Sequence, residues 1–372
     1  MSGYDTIPSA SKLKVEMFTL SIPEQALNDF KDLLRLSNLA PKTYENLHTD
    51  DGNFGVSHEW MTNAKNYWLT KYDWRATEKY NNSFPNFIAQ VPDDDGEIFR
   101  IHFVALFSRK ENAVPILYMH GWPGSHLEHL KLFDLYRKKY TPEDLPYHVI
   151  AVSLPGWTLS SGPPLDENFT LADIARIMNK LMVGLGFGSG YICQGGDIGS
   201  LAAKVIAGTY DECKDNFIAA MVTPKIEADS GLPPDEKRAW ESRGLVFRST
   251  GRAYGLLHAT RPATIGFVLS SSPLAQLAWV GEKFIEWSDE TPPLKDILDS
   301  VTLYWFTKTL PRSIYCYREF AVPGGQFPHG DPKYLNSKPV AYSWFPKEVA
   351  PMPRAWVEAQ GLNLVLFKKH EV

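Results

Sequence analysis

Gln194-Gly195-Gly196-Asp197-Ile198-Gly199-Ser200 decides how this chain folds. The segment follows a short apolar run, Gly190–Cys193, and leads into Ser200–Gly208, which reads as a helix. Small residues stand on both sides of one carboxylate. A strand that turns directly into a helix leaves little room for Cβ atoms, so glycine is needed there. The residue at the tip projects at the helix N-terminus. Free backbone N–H groups and the helix dipole favour an anion at that point. A carboxylate held there stays ionised and can attack carbon. An ordinary glycine-rich turn, with Asp197 as a helix cap, fits the same letters.

A second motif separates the two readings. Val114–Met119 (VPILYM) reads as a buried strand, and His120-Gly121-Trp122-Pro123-Gly124-Ser125 follows it directly. When a nucleophile sits at a strand–helix turn, the loop after this strand supplies one oxyanion-hole N–H. The residue after the nucleophile supplies the other. Those residues are Trp122 and Ile198, and Trp122-Pro123 is a candidate cis bond. The two motifs, in this order, predict an α/β-hydrolase fold with a mostly parallel central sheet and Asp197 as its nucleophile.

The flanks agree. Ile98–Ala105 alternates like a strand, and His148–Leu154 is an apolar run ended by Pro155-Gly156. Thr170 and Asp173 form a capping pair ahead of an apolar helix face made by Leu171, Ile174, Ile177, Met178, Leu181 and Met182. Phe217–Val222 is a further strand. Strands alternating with helices predict a parallel sheet. Residues 225–335 break the alternation and read as helices joined by loops, inserted between the sixth and seventh strands. Such an insertion caps the sheet's C-terminal edge, where ligands bind in open α/β sheets. Val340–Ser343 and Leu364–Phe367 resume the strands. Residues 1–95 read as a unit with helices at Glu24–Leu36 and around Trp60–Trp74. Ser21-Ile22-Pro23-Glu24 has the form of a helix start. The expected organisation is 1–95, an N-terminal domain; 96–224, the first part of the core; 225–335, the helical cap; and 336–372, the second part of the core.

Composition excludes several classes. Lys+Arg (38) nearly balance Asp+Glu (43), so no basic surplus points to nucleic acid. The three cysteines, Cys193, Cys213 and Cys316, are too few and too scattered for a disulfide framework, and they suit a reducing, cytoplasmic setting. No leader and no apolar run long enough to span a membrane are visible. Gly-x-Ser-x-Gly is absent, which argues against a serine esterase. His126-Leu127-Glu128-His129 matches no zinc spacing and reads as a solvated helix face, so no metal is expected. Gly184–Gly190 precedes a strand and reads as a helix end plus loop, not as a dinucleotide site.

With both motifs placed, the sequence resembles the microsomal-type epoxide hydrolases, and most closely their soluble fungal members. HGWPGS and GGDIGS carry the resemblance, together with Trp74-Arg75, Phe84-Pro85-Asn86-Phe87, Ala259-Thr260-Arg261-Pro262, Ser270–Ala275 and Gly281-Glu282-Lys283-Phe284. It implies a cofactor-free conversion of an epoxide and water to a vicinal diol, in the class of ether-bond hydrolases (EC 3.3.2). Asp197 would form a hydroxyalkyl ester. Two cap tyrosines, Tyr254 and Tyr317, would hold and protonate the epoxide oxygen, with Tyr304 and Tyr315 as neighbouring alternatives. Glu348, in Phe345-Pro346-Lys347-Glu348, would orient the catalytic histidine. The expected substrates are small apolar epoxides such as cis-stilbene oxide, in aromatic hydrocarbon catabolism or detoxification, and the expected assembly is a homodimer.

The resemblance also implies a Gly-Gly-His-Phe segment after the eighth strand, and a closing helix. The 372 residues reach Val372 just after Lys369-His370-Glu371, without that segment. His370 lies before the expected position. Two expectations follow: an active protein whose recorded sequence is cut short, or an enzyme that forms its ester and cannot hydrolyse it, with one flank of the sheet left bare. The competing functions are a haloalkane dehalogenase, which shares the Asp nucleophile but binds its halide with Trp or Asn donors, and a non-catalytic binding protein on the same scaffold.

Overall fold

The computed structural model describes residues 3–52, 54–219, 231–321, 328 and 331–371. Among them, nine strands form one sheet in the order β1-β2-β3-β5-β4-β6-β7-β8-β9. β1 (Lys14–Phe18), β2 (Asn86–Pro92) and β3 (Ile98–Leu106) run antiparallel, and β3 pairs antiparallel with β5 (Tyr147–Val152). β4 (Val114–Met119), β5, β6 (Tyr191–Gly196), β7 (Cys213–Ala219), β8 (Pro339–Trp344) and β9 (Asn363–Lys369) are parallel. The chain leaves β4 for β5 on one side, then crosses back to β6 on the other. Strand order therefore reverses at β4, and the crevice beyond its C-terminal end is where such sheets bind ligands. The 120–125 loop and the Asp197 turn both open on that crevice.

The buried runs explain the sheet. Leu117 and Met119 on β4, Val149–Val152 on β5 and Tyr191 and Cys193 on β6 are all buried, as strands covered on both faces require. Helix Leu171–Met182 starts with the expected Thr170–Asp173 capping box and packs its apolar face beside helix Asp197–Thr209. That second helix begins at Asp197, three residues before the sequence expectation, so Asp197 is itself in the first turn. The expected strand end at Val222 and the 224/225 boundary lie outside the described residues. Pro234–Phe320 contains the helices expected of the cap.

Three local expectations are corrected. Helix Glu24–Leu36 has Pro23 as its N-cap with no side-chain cap bond, so Ser21 plays no capping role. The stretch around Trp60–Trp74 is two helices, His58–Thr70 and Trp74–Asn82. Each has its own cap, Ser57 and Asp73, and Lys71–Asp73 breaks the run. The pair His126/His129 is not a solvated face. His126 is buried, its Nε2 lies 2.9 Å from Asn81 Oδ1, and its Nδ1 lies 3.2 Å from Ser153 Oγ. His102 bridges the same Ser153 and Asn86. The N-terminal helix carrying Asn81 covers this turn, and local spacing could not reveal that cover.

The cap is bolted to the core loops. Tyr304 Oη donates to the Gly124 carbonyl at 2.7 Å. The Thr158 N–H donates to Thr309 Oγ1 at 2.9 Å, and Arg312 donates to the carbonyls of Thr158 and Ser160. Under helix Leu127–Lys139 a cavity of about 380 Å³ opens beside Ile116, His129, Ile192, Gln194 and Phe217. Val365 and Leu366 on β9 are exposed. No single helix among the described residues is long and apolar enough to cross a membrane.

Candidate active site

Asp197 occupies the turn from β6 into its helix with φ +47°, a left-handed conformation that costs a non-glycine residue free energy. The glycines around it make that turn possible. A Cβ on Gly195 would lie 2.2 Å from the Gly199 carbonyl oxygen, and one on Gly199 would lie 2.3 Å from the Met119 carbonyl oxygen. A Cβ on Gly121 would lie 2.4 Å from Asp197 Cβ. Gly196 is different: a Cβ there meets nothing within 4 Å.

The 120–125 loop reaches the Asp197 carboxylate. The Trp122 N–H donates to Asp197 Oδ1 at 2.8 Å, and the Ile198 N–H is a second donor to the carboxylate. The Trp122–Pro123 bond is cis. Burial raises the Asp197 pKa above the ordinary carboxylate value, and these two N–H groups oppose the shift.

Tyr254, on helix Ala253–Thr260, and Tyr317, at the start of Tyr317–Phe320, are brought together over this loop. Tyr317 Oη donates to Tyr254 Oη at 3.4 Å. The Trp122 ring stacks on Tyr254 (centroids 5.2 Å apart, 12° between planes) and meets Tyr317 edge-on at 6.0 Å. Burial first, and then nearby negative charge including Asp197, raises both phenols. The two alternative tyrosines are committed elsewhere. Tyr304 Oη donates to Gly124, and Tyr315 Oη donates to the Pro155 carbonyl at 2.8 Å.

Glu348 follows β8 in a half-buried loop, where the Val349 N–H donates to its Oε1 at 2.8 Å. Burial raises its pKa, and the Asp197 charge adds to the rise. Among the described residues no histidine hydrogen-bonds to Asp197 or Glu348. His370 is stacked on Phe345 at 4.3 Å, with Nε2 3.1 Å from Ser343 Oγ.

Two site-wall residues escaped the sequence reading. His258 is buried against Trp122 (4.6 Å), Tyr317 (4.9 Å) and Tyr254 (5.3 Å). The Trp279 indole N–H donates to its Nε2 at 3.0 Å, which places the proton on Nδ1. Burial pulls its pKa down to about 3, so it is neutral. Its four-residue spacing from Tyr254 on one helix was the available signal. Lys283, within the Gly281–Phe284 match, is also buried, with its ammonium over the Tyr254 ring. No cluster of three or more His, Cys, Asp or Glu side chains among the described residues is arranged to hold a metal ion.

Comparison with known proteins agrees with this geometry. Residues 15–129 match the family model described as the epoxide hydrolase N terminus, and residues 114–252 match that of the alpha/beta hydrolase fold. The structure of Aspergillus niger epoxide hydrolase superposes with a TM-score of 0.92 at 45% identity, over 99% of this chain and 93% of that one. A Dothistroma septosporum protein, named as a candidate epoxide hydrolase, is 40% identical over 378 residues, covering 100% of this chain and 88% of its own. Rabbit (Oryctolagus cuniculus) epoxide hydrolase 1 is 25% identical over 388 residues, 95% of this chain and 83% of its own. An α/β-hydrolase sheet, an N-terminal segment of this type and relatives at this identity along the whole length establish that the chain belongs to the epoxide hydrolase family, hydrolases that act on epoxides.

Proposed function

We propose that Asp197 opens the epoxide ring through a covalent ester. The carrying observation is that Asp197 Oδ1 is gripped by the Trp122 N–H beneath a facing pair of tyrosines. Oδ2 is then the attacking atom. It bonds to an epoxide carbon, the carbon–oxygen bond breaks, and its electron pair stays on the departing oxygen. A tyrosine proton neutralises that oxygen, because an alkoxide is a poor leaving group even with ring strain helping. Oδ1 becomes the carbonyl oxygen of the ester. When water attacks the Asp197 carboxyl carbon, negative charge grows on the atom already held by Trp122 and Ile198. Collapse of that intermediate releases the diol. Glu348 is the acid that would orient the imidazole activating this water.

The aromatic walls (Trp122, Tyr254, Tyr317) support apolar, aryl-bearing substrates such as styrene or cis-stilbene oxide. Reduced, buried cysteines support action in a cytoplasmic setting, in detoxification or aromatic catabolism. The test is incubation with styrene oxide, followed by intact-mass measurement and assay of the diol. A gain of one substrate mass, or diol release, abolished in Asp197→Ala, is expected. Neither product from the wild-type chain would overturn the proposal. A persistent adduct without diol would locate the block at ester hydrolysis.

One observation keeps the dehalogenase reading in play. The Trp122 indole N–H is buried without an acceptor among the described residues, and a halide could take that place. Halide release from a 1-haloalkane would favour it over the epoxide.

A further inference from the structure

The two tyrosines do not share one environment. Tyr317 donates its hydroxyl proton to Tyr254 Oη, so Tyr254 already accepts a hydrogen bond and keeps its own O–H for another acceptor. Tyr254 carries a cation on its face. Lys283 Nζ stands 4.8 Å from the Tyr254 ring centroid, and 5.7 Å from those of Trp279 and Trp287. The side chain is 5% exposed and is ion-paired with Glu282. A buried ammonium is costly to keep unless it is paired. Here one carboxylate and three aromatic faces hold it.

We propose that Lys283 is a positioning residue that makes Tyr254 the phenol which gives up its proton, with Tyr317 as its backing donor. The inference rests on the epoxide reading. As the Tyr254 O–H bond breaks, its proton passes to the oxygen leaving the epoxide carbon, and a phenolate remains on Tyr254. That charge forms beside the Lys283 ammonium, which keeps its own protons, and the Tyr317 hydroxyl donates to it. The water consumed in ester hydrolysis later returns the proton to Tyr254. Around Tyr254, the charge of Asp197 and the Cys316 thiol act in the opposite sense. His258 is neutral and supplies no charge. Behind the ammonium, Glu282 is its ion-pair partner and Glu286 is a further acidic neighbour.

The experiment places 2,3,5-trifluorotyrosine, a much more acidic phenol, at position 254 or at position 317, and follows each by ¹⁹F NMR against pH. Lys283→Met removes the charge and Lys283→Arg keeps it. At an effective dielectric of about 20, a unit charge about 5 Å away shifts a pKa by about two units. The midpoint at 254 should rise by about that much in Lys283→Met and return most of the way in Lys283→Arg. The midpoint at 317 should move far less. An unchanged midpoint at 254, or equal movement at both positions, would overturn the inference. In the unlabelled protein, ester formation from styrene oxide should slow by between about tenfold and a hundredfold in Lys283→Met, with recovery in Lys283→Arg. Tyr254→Phe should cost more than Tyr317→Phe, and the reverse order would also overturn the inference. Absence of any ester in the wild-type chain would strike the epoxide reading instead, and the ¹⁹F titration would still judge the electrostatic claim.

Discussion

Gly196 and Gly199 lie three residues apart, and alanine at the two positions should have opposite effects. A Cβ on Gly199 would be 2.3 Å from the Met119 carbonyl oxygen and 2.8 Å from that of His120. Both are backbone atoms, one of them at the end of the central strand β4, so neither can yield without moving the sheet or helix Asp197–Thr209. Overpacking of this kind costs about 1–3 kcal/mol, and backbone partners place it toward the upper end. Alanine's helix preference offsets about 1 kcal/mol. The net expectation for Gly199→Ala is about 1–2 kcal/mol of lost stability. Relief would come from separating the helix from β4 by about 1 Å, and Asp197 rides on that helix. Displacement of a reacting group by that distance can cost about a hundredfold in rate. Gly196→Ala meets open space at φ −107°, where alanine is comfortable. It should be neutral or more stable by about 0.4–1 kcal/mol, through the restricted unfolded chain. Urea unfolding of the two variants, paired with the rate of ester formation from styrene oxide, tests this. Equal stability, or a larger loss for Gly196→Ala, would refute the steric reasoning.

Other perturbations have equally definite outcomes. Asp197→Asn should abolish ester formation yet raise the melting temperature. The native carboxyl has a raised pKa, so its ionised form opposes folding, and the gain over wild type should grow as pH rises through its titration; a gain that shrinks with pH would contradict the assignment. Tyr315→Phe removes a hydrogen bond to Pro155 and should cost about 1 kcal/mol of stability with little change in ester formation. Tyr317→Phe should slow ester formation by more than its loss of stability, read from the urea midpoint, accounts for. Lys204 is buried on helix Asp197–Thr209, its Nζ has no partner among the described residues, and burial pulls its pKa down to about 8 from 10.5. Lys204→Met should therefore stabilise the protein by about 3 kcal/mol at neutral pH. That advantage should fade as pH rises past about 8, because the neutral amine no longer opposes folding; denaturation at pH 6, 8 and 10 checks the sign.

The parts of the site that are local in sequence were legible. The glycine pattern around Asp197 encodes a close approach that a Cβ would block, and HGWPGS encodes the loop that answers it. Strand runs such as VPILYM and the Thr170–Asp173 box carried their own signals, since burial on both faces and capping are short-range requirements. What depends on distant segments was not legible. His126 looked solvated because its cover, Asn81, comes from a helix 45 residues earlier. Tyr254 and Tyr317 came from family resemblance, since neither has a local pattern that marks a proton donor. Tyr315 is tied to the Pro155 carbonyl, 160 residues away, a contact that sequence spacing does not reveal. Lys283 stood in a matched motif, but its partner ring lies on another helix.

The bond from Tyr304 to Gly124 makes the cap and the oxyanion loop one mechanical body. Thr309 and Arg312 pin the same cap to the loop that follows β5. A cap swinging away would have to release Gly124, and with it the turn that presents the Trp122 N–H to Asp197. Substrate traffic by a swinging lid would thus release the Trp122 N–H from Asp197 at each opening. A cap that stays docked would leave the Asp197 turn set between visits, so that entry would depend on side-chain motion alone. Molecules would then be sorted by width on the way in, before any chemistry begins.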